Sequence, residues 1–129
     1  MLIVDASCVA EVVLAGPDAE RIRGHLAGDP EQAAPHLVDA EVLGVVRRVR
    51  LRGELDETAA RQAIDDLASW PATRVDHRPL LQRSWELRHG LTAADALYVA
   101  LAEALDAPLL TLDKRLAKAA GPRCQIYVI

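Results

Sequence analysis

Short apolar segments alternate with helical patterns along the whole chain, and this alternation restricts the fold more than any other sequence feature. The first strand is predicted by the apolar run Leu2-Ile3-Val4. No Asn-Gly or Asp-Gly dipeptide, the signal of a two-residue hairpin, occurs anywhere in the chain. Strands that are joined through helices pair in parallel, with helices on both faces of the sheet. We therefore predict an α/β fold with strands at residues 2–4, 31–35, 73–76, 109–113 and 125–129.

The helical segments begin and end at residues that favour helix termini. Gly16-Pro17 ends a short first helix, Gly53 ends the longest helical pattern, and Pro71 follows another. A chain of 129 residues fills one core and is too short for two ordinary domains, so we predict a single domain over residues 1–129. The further helices are predicted at residues 18–26, 37–52, 56–69, 79–89, 92–105 and 114–120.

The composition excludes several classes of protein. With 51% apolar and 26% charged residues, the chain has the make-up of a globular protein rather than a disordered one. No apolar run approaches the roughly 18 residues that a membrane helix needs. The first residues, Met1 to Asp5, have no basic region and are not expected to form a signal peptide. We predict a cytoplasmic protein without a membrane segment.

The charge balance restricts how the chain could bind nucleic acid. Nineteen acidic residues against fifteen Lys and Arg give a formal net charge of −4. Proteins that bind nucleic acid through broad phosphate neutralisation are usually basic. The chain also has no Phe, two Trp and two Tyr, which leaves little surface for stacking bases. Any phosphate contact must therefore be local.

Two of the predicted strands end in an aspartate. Asp5 follows the first strand and Asp113 ends the fourth. In open α/β sheets ligands bind beyond the carboxyl ends of the strands, so both positions are candidates for a functional site. Alternatively, each aspartate caps the helix that follows it, which is a common role for Asp.

Asp95 and Glu41 lie in helices at positions where an acid is unexpected. The segment 92–105 is apolar on nearly every side, and a carboxylate in a buried helix needs a partner. A capping box, in which Asp95 bonds the backbone amide of Thr92, is the structural alternative. Glu41 lies about 60° from Val38, at the edge of the apolar stripe of its helix. Its alternative role is a salt bridge with Arg48.

Together the four acids indicate a metal site. Like charges a few ångströms apart resist ionisation, and a divalent cation removes that conflict. Hard oxygen ligands favour Mg²⁺ or Mn²⁺. If Asp5, Glu41, Asp95 and Asp113 converge, we expect them to bind such an ion.

The candidate acids lie in four motifs, namely Leu2-Ile3-Val4-Asp5-Ala6-Ser7, Pro35-His36-Leu37 leading to Glu41-Val42, Leu91-Thr92-Ala93-Ala94-Asp95-Ala96-Leu97-Tyr98 and Leu110-Thr111-Leu112-Asp113-Lys114-Arg115-Leu116. In this order along the chain, the motifs resemble the PIN-domain ribonucleases, and specifically the VapC toxins of type II toxin–antitoxin pairs. The resemblance implies a three-layer α/β/α sandwich around a mostly parallel five-stranded sheet. It implies Asp5 and Asp95 as the most direct Mg²⁺ ligands, with Glu41 assisting and Asp113 more variable. It also implies Ser7 and Thr111 as polar neighbours of the site.

The same resemblance implies a function. The expected activity is that of a Mg²⁺-dependent endoribonuclease that hydrolyses RNA with a metal-activated water and leaves 5′-phosphate ends. The expected partners are a cognate antitoxin and a second toxin copy, as a homodimer or a toxin–antitoxin hetero-oligomer. The cations after Asp113 are candidates for RNA contact, namely Lys114, Arg115 and Lys118.

Two other functions remain open at this point. In the first, the acids are only helix caps and the chain is a non-catalytic protein-binding module. In the second, Asp5 is the nucleophile of a phosphotransferase like the haloacid dehalogenases. That family requires a second Asp two residues later, where this chain has Ser7.

Overall fold

The computed structural model describes residues 1–129 and contains one sheet of five parallel strands. The strand order is β3-β2-β1-β4-β5, and all four neighbouring pairs are parallel. The register aligns Ile3 with both Ala33 and Leu109. The predicted parallel sheet is thus confirmed. The strands are β1 (Leu2–Val4), β2 (Gln32–Pro35), β3 (Thr73–Val75), β4 (Leu109–Thr111) and β5 (Ile126–Val128).

Seven α-helices connect and cover the strands. Right-handed crossovers place α1 to α4, which lie between β1 and β3, on one face of the sheet, and α5 and α6 on the other. Consistently, α1 contacts the other three helices of its layer, whereas α6 packs on β1, β2 and β4 with α5 beside it. The helices are α1 (Ala6–Val13), α2 (Ala19–Gly28), α3 (Leu37–Leu51), α4 (Glu57–Ser69), α5 (Leu81–Glu86), α6 (Ala93–Ala104) and α7 (Lys114–Lys118).

Two predicted helices are shorter in the structure. The segment 79–89 consists of a 3₁₀ helix, Arg78–Leu80, followed by the six residues of α5. Beyond Glu86 the chain tightens into turns, in which the Arg88 amide bonds the carbonyl oxygen of Trp85. Helix α7 ends two residues early, at Lys118, before Gly121 with its φ of +110° and the adjacent Pro122. Neither change moves a candidate site residue.

The core lies on both sides of the central strands. Ile3 and Val4 of β1 and Leu109 and Leu110 of β4 are completely buried. On α6, small residues such as Ala96, Ala100 and Ala102 face the core and allow close packing on the sheet. None of the seven helices is long and apolar enough to cross a bilayer.

The order in which the strands are added to the sheet reverses between β1 and β4. From β1 the chain continues to β2 and β3 on one side, and β4 and β5 occupy the other side. A crevice forms outside the carboxyl ends of the strands at such a switch point, and ligands bind there in open parallel sheets. Asp5 directly follows β1, and Asp113 follows β4 by two residues. The fold therefore brings two of the four candidate acids to this crevice.

Candidate active site

Asp5 is a buried carboxylate at the end of β1, with only 7% of its surface exposed. Its backbone amide donates to the carbonyl oxygen of Leu110 at 2.9 Å, which attaches it to β4. Asp5 precedes α1, yet its side chain makes no capping hydrogen bond. Instead, Oδ2 accepts from the Ser7 hydroxyl at 2.8 Å and from the Thr111 hydroxyl at 2.7 Å. The helix-cap alternative is therefore wrong for Asp5.

The orientation of both hydroxyl groups is determined by backbone amides of the loop between β4 and α7. The Leu112 amide donates to Ser7 Oγ at 3.2 Å, and the Asp113 amide donates to Thr111 Oγ1 at 3.0 Å. Because each hydroxyl oxygen accepts from an amide, its own proton is directed toward Asp5. This network holds Oδ2 of Asp5 in place and makes no bond to Oδ1. Ser7 and Thr111 thus lie against Asp5, as polar neighbours.

Glu41 lies on α3 and contacts the site through a tyrosine. The buried Tyr98 hydroxyl donates to Glu41 Oε1 at 2.7 Å. The alternative interpretation of Glu41, a salt bridge with Arg48, is wrong because Glu41 takes part in no ion pair. Burial raises the pKa of Glu41, the Tyr98 hydrogen bond opposes this shift, and the charges of Asp5 and Asp95 add to it. The negative charges of Asp5 and Asp95 therefore act on the Glu41 carboxylate.

Asp95 lies in the first turn of α6, partly buried. The Thr92 hydroxyl caps the helix by accepting from the Asp95 amide at 3.2 Å, so half of the expected capping box is present. The reciprocal bond from the Thr92 amide to the Asp95 carboxylate is not formed. Burial raises the pKa of Asp95, a hydrogen bond with the Thr92 side chain opposes this shift, and the charges of Asp5 and Asp113 add to it. The Asp95 carboxylate forms no ion pair.

Asp113 differs from the other three acids because it is already paired. It caps α7 by accepting from the Arg115 amide at 2.9 Å, and it binds the Arg115 guanidinium at 3.1 and 3.0 Å. These bonds lower the pKa of Asp113. The helix-cap alternative is thus correct for this residue, although its charge still acts on Asp95.

The structure brings the four acids near one another at the carboxyl end of the sheet, where their charges act on one another. Asp5 raises the pKa of both Glu41 and Asp95, and Asp113 raises that of Asp95. No three acidic, His or Cys side chains are grouped tightly enough to hold one ion as they stand. Asp113 is drawn toward Arg115 and Glu41 toward Tyr98. The donor set of hard carboxylate oxygens fits a divalent cation, and such an ion would draw the carboxylates closer together.

The basic residues after Asp113 lie on the exposed side of α7. Arg115 is engaged with Asp113, and 90% of its side chain is exposed. Lys114 and Lys118 are exposed and form no ion pair. Lys114 and Lys118 are therefore free to bind an anion, whereas Arg115 would first have to leave Asp113.

Tyr98 is a site residue that the sequence analysis did not recognise as one. It is 1% exposed, and its hydroxyl is the group that binds Glu41. The signal was its spacing, because residues three apart on a helix share a face and Tyr98 follows Asp95 by three. A large aromatic residue in an apolar helix ordinarily indicates core packing. For that reason the sequence does not reveal that the Tyr98 hydroxyl belongs to the site.

Comparison with known proteins identifies the family to which this geometry belongs. The family model described as "PIN domain" matches residues 2–122. The chain belongs to the PIN-domain family. Within it, Ribonuclease VapC1 of Mycobacterium tuberculosis is 48% identical to this chain over 130 residues, covering 98% of this chain and 96% of that protein. The resemblance to PIN-domain VapC proteins is thus confirmed.

Solved structures agree with a PIN-domain fold. FitAcB from Neisseria gonorrhoeae superposes with a TM-score of 0.75 at 17% identity, covering 98% of this chain and 96% of that one. A toxin–antitoxin complex from Klebsiella pneumoniae gives a TM-score of 0.68 at 19% identity, with both chains completely covered. The α/β sandwich expected of a PIN domain is confirmed. A haloacid-dehalogenase-like phosphotransferase is excluded by the family to which the chain belongs.

Proposed function

We propose that this PIN domain is the toxin of a type II toxin–antitoxin pair and acts in the cytoplasm as a Mg²⁺-dependent endoribonuclease. The main supporting observation is the raised pKa of Glu41 and Asp95, which arises from burial and from neighbouring carboxylates in one crevice. Perturbed acids in a cleft are typical of functional sites. A relative that is 48% identical is named a ribonuclease, which supports RNA as the substrate.

In this proposal Asp5 and Asp95 are the principal ligands of Mg²⁺, with Mn²⁺ as a substitute, and Glu41 and Asp113 complete the acidic site. When bound, the ion supplies a Lewis acid that lowers the pKa of a water molecule and offsets negative charge on the phosphate. Both oxygens of Asp113 already accept from Arg115, so a cation would compete with the guanidinium for this carboxylate.

The remaining site residues orient the acids and the substrate. Ser7 and Thr111 hold Asp5 by Oδ2, so that its charge does not rotate away from the crevice. Lys114 and Lys118 would bind phosphates of the RNA strand near the cleaved bond, as point charges. Arg115 would exchange its carboxylate partner for an RNA phosphate, because the guanidinium recognises both groups with the same paired geometry.

An antitoxin is the proposed protein partner, in a hetero-oligomer that can include a toxin homodimer. One solved structure with this fold is described as a toxin–antitoxin complex. The chain also has an apolar groove of about 290 Å³ that could accept a segment of such a partner. Val9, Val12 and Val13 of α1 line it together with Leu26 and Trp70.

Cleavage assays on purified protein test the proposed activity. We expect the wild type to cut RNA in Mg²⁺ and to leave 5′-phosphate ends, whereas D95N is slower by at least about 100-fold, because loss of a ligand costs more than loss of a group that orients one. The matched control is D106N, because Asp106 is exposed and has a φ of 49°, which Asn tolerates. Cleavage that persists in EDTA, or that leaves 2′,3′-cyclic phosphates, would contradict the proposal.

Expression in cells tests the role as a toxin. We expect growth arrest with the wild type and not with D95N, and relief of the arrest when the cognate antitoxin is co-expressed. New RNA 5′ ends should appear only in the arrested cells. Normal growth of cells that contain active wild-type enzyme would contradict the role as a toxin.

A further inference from the structure

The hydroxyl of Tyr98 connects two helices at the acidic crevice. Tyr98 is the largest of the fully buried side chains, and it lies on α6 three residues after Asp95. Its hydroxyl donates at 2.7 Å to Oε1 of Glu41, which is on α3. The position of Glu41 on α3 therefore depends on a hydrogen bond from α6, which lies on the opposite face of the sheet.

A buried tyrosine hydroxyl must have a hydrogen-bonding partner. Burial of a hydroxyl without a partner lowers stability, and a phenylalanine at the same position avoids that loss. In this chain the partner is an acid of the site rather than a backbone carbonyl. Hydrogen bonds to an ionised group are shorter and about twice as strong as neutral ones. The contact therefore does more than satisfy Tyr98.

The bond fixes the orientation of the Glu41 carboxylate. The bond occupies Oε1, and no protein group donates to Oε2. Asp5 has the same arrangement, with Oδ2 held by two hydroxyls and Oδ1 free of protein partners.

We propose that Tyr98 is a positioning residue of the metal site, which holds Glu41 by Oε1 and leaves Oε2 to bind a divalent cation together with Asp5 and Asp95. This inference rests on the proposed function, because it requires that Glu41 bind the ion. Tyr98 acts through Glu41 and touches neither RNA nor metal. Groups that orient a ligand in this way typically change metal affinity by about 10–100-fold when they are removed.

Mn²⁺ binding measured by titration calorimetry tests the inference without RNA. Y98F keeps the volume of the side chain and removes only the hydroxyl. We expect Y98F to weaken Mn²⁺ binding by about 10–100-fold. The matched control is Y127F, because Tyr127 lies exposed on β5, and its Mn²⁺ affinity should equal that of the wild type. Thermal unfolding in EDTA reports whether Y98F is folded.

A double-mutant cycle separates positioning from simple packing. If Tyr98 acts through Glu41, then E41Q and E41Q/Y98F should bind Mn²⁺ equally, within about twofold. If Y98F weakens binding by the same factor with and without Glu41, Tyr98 acts through packing and the inference is overturned. The inference is also overturned if E41Q weakens binding and Y98F does not. If neither E41Q nor D5N changes Mn²⁺ binding, the proposed metal site itself is wrong.

A spectroscopic measurement tests the inference even if Y98F fails to fold. In Y127F protein Tyr98 is the one remaining tyrosine. Binding of a cation to Glu41 would withdraw charge from the carboxylate and weaken its bond with Tyr98. We therefore expect Mn²⁺ to change the ultraviolet absorption of tyrosine in Y127F protein and not in Y127F/E41Q protein. An unchanged tyrosine spectrum on saturation with Mn²⁺ would overturn the inference.

Discussion

Asp5 and Asp113 show how the same residue type takes different roles after two strands of one sheet. Asp5 leaves its helix uncapped and bonds two hydroxyls, whereas Asp113 caps α7 and binds Arg115. Sequence alone treats them alike, because each follows a strand and precedes a helix. The difference arises from Thr111, which is 106 residues from Asp5 in the chain and adjacent to it through β-strand register.

Thr111 is the residue on which the network around Asp5 most depends. It is completely buried, donates to Asp5 Oδ2 and accepts from the Asp113 amide. T111V preserves its shape but leaves the Asp113 amide without its partner and removes one of the two hydroxyls that bond Asp5, so we expect a loss of about 1–3 kcal/mol in the free energy of unfolding, measured in urea. Mn²⁺ binding should also weaken by about 10–100-fold, because Ser7 alone then orients Asp5.

The control for T111V is a threonine outside any such network. Thr58 is exposed in α4, and T58V should change stability by less than about 0.5 kcal/mol. Wild-type Mn²⁺ affinity in T111V protein would show that the hydroxyl network does not position Asp5.

Among the strands, β3 is the one for which the local sequence pattern is weakest. It has three residues, none of them fully buried, and it occupies an edge of the sheet. Its position depends on Arg74, whose guanidinium binds Asp39 on α3 and the carbonyl oxygens of Leu67 and Trp70 at the end of α4. Asp39 is 35 residues away in the sequence, so periodicity cannot reveal this ion pair. By contrast, α6 was predicted to within a residue at each end, because its apolar pattern and its Thr92 cap are local.

Removal of the Arg74 guanidinium tests this account of β3. Only 16% of the Arg74 side chain is exposed, and it makes hydrogen bonds to three backbone carbonyls as well as its ion pair. We expect R74M to lower the free energy of unfolding by about 2–3 kcal/mol and to speed amide exchange in β3. The matched control is R61M, which removes an exposed pair with Glu57 and should cost at most about 1 kcal/mol. Equal losses in both variants would refute the account.

For the whole molecule, the alternation of strands and helices predicted the parallel sheet, but it did not predict which side chains meet across it. The switch between β1 and β4 brings Asp5 and Asp113 to one crevice, and α3 and α6 add Glu41 and Asp95 from opposite faces. That convergence is a property of the tertiary structure. The positions of the four acids in the sequence predict a shared cation site if they converge, but the separate role expected of each acid comes only from the family resemblance.

The proximity of the acids lowers the free energy of unfolding by an amount that depends on pH. The pKa of Asp95 is higher in the folded protein than in the unfolded chain, chiefly because of burial and then of the charges on Asp5 and Asp113. Its contribution to stability is thus complete below its ordinary pKa of about 4, and it is lost as the pH rises through the folded pKa. Asp113 has the opposite sign, because Arg115 lowers its pKa.

Substitution of each acid by its amide, with EDTA present, measures these two contributions separately. D95N removes an unfavourable charge, so it should melt a few degrees above the wild type near pH 7, and the gap should close as the pH falls toward 4. D113N should melt below the wild type near pH 7. This difference in melting temperature should disappear only below the ordinary pKa of an aspartate, because Arg115 lowers the pKa of Asp113. Mg²⁺ at 100 times its dissociation constant should stabilise the wild type by about 2.7 kcal/mol and D95N far less. If D95N melted below the wild type in EDTA at pH 7, the acids would not repel one another, and the physical argument for a cation at this crevice would fail.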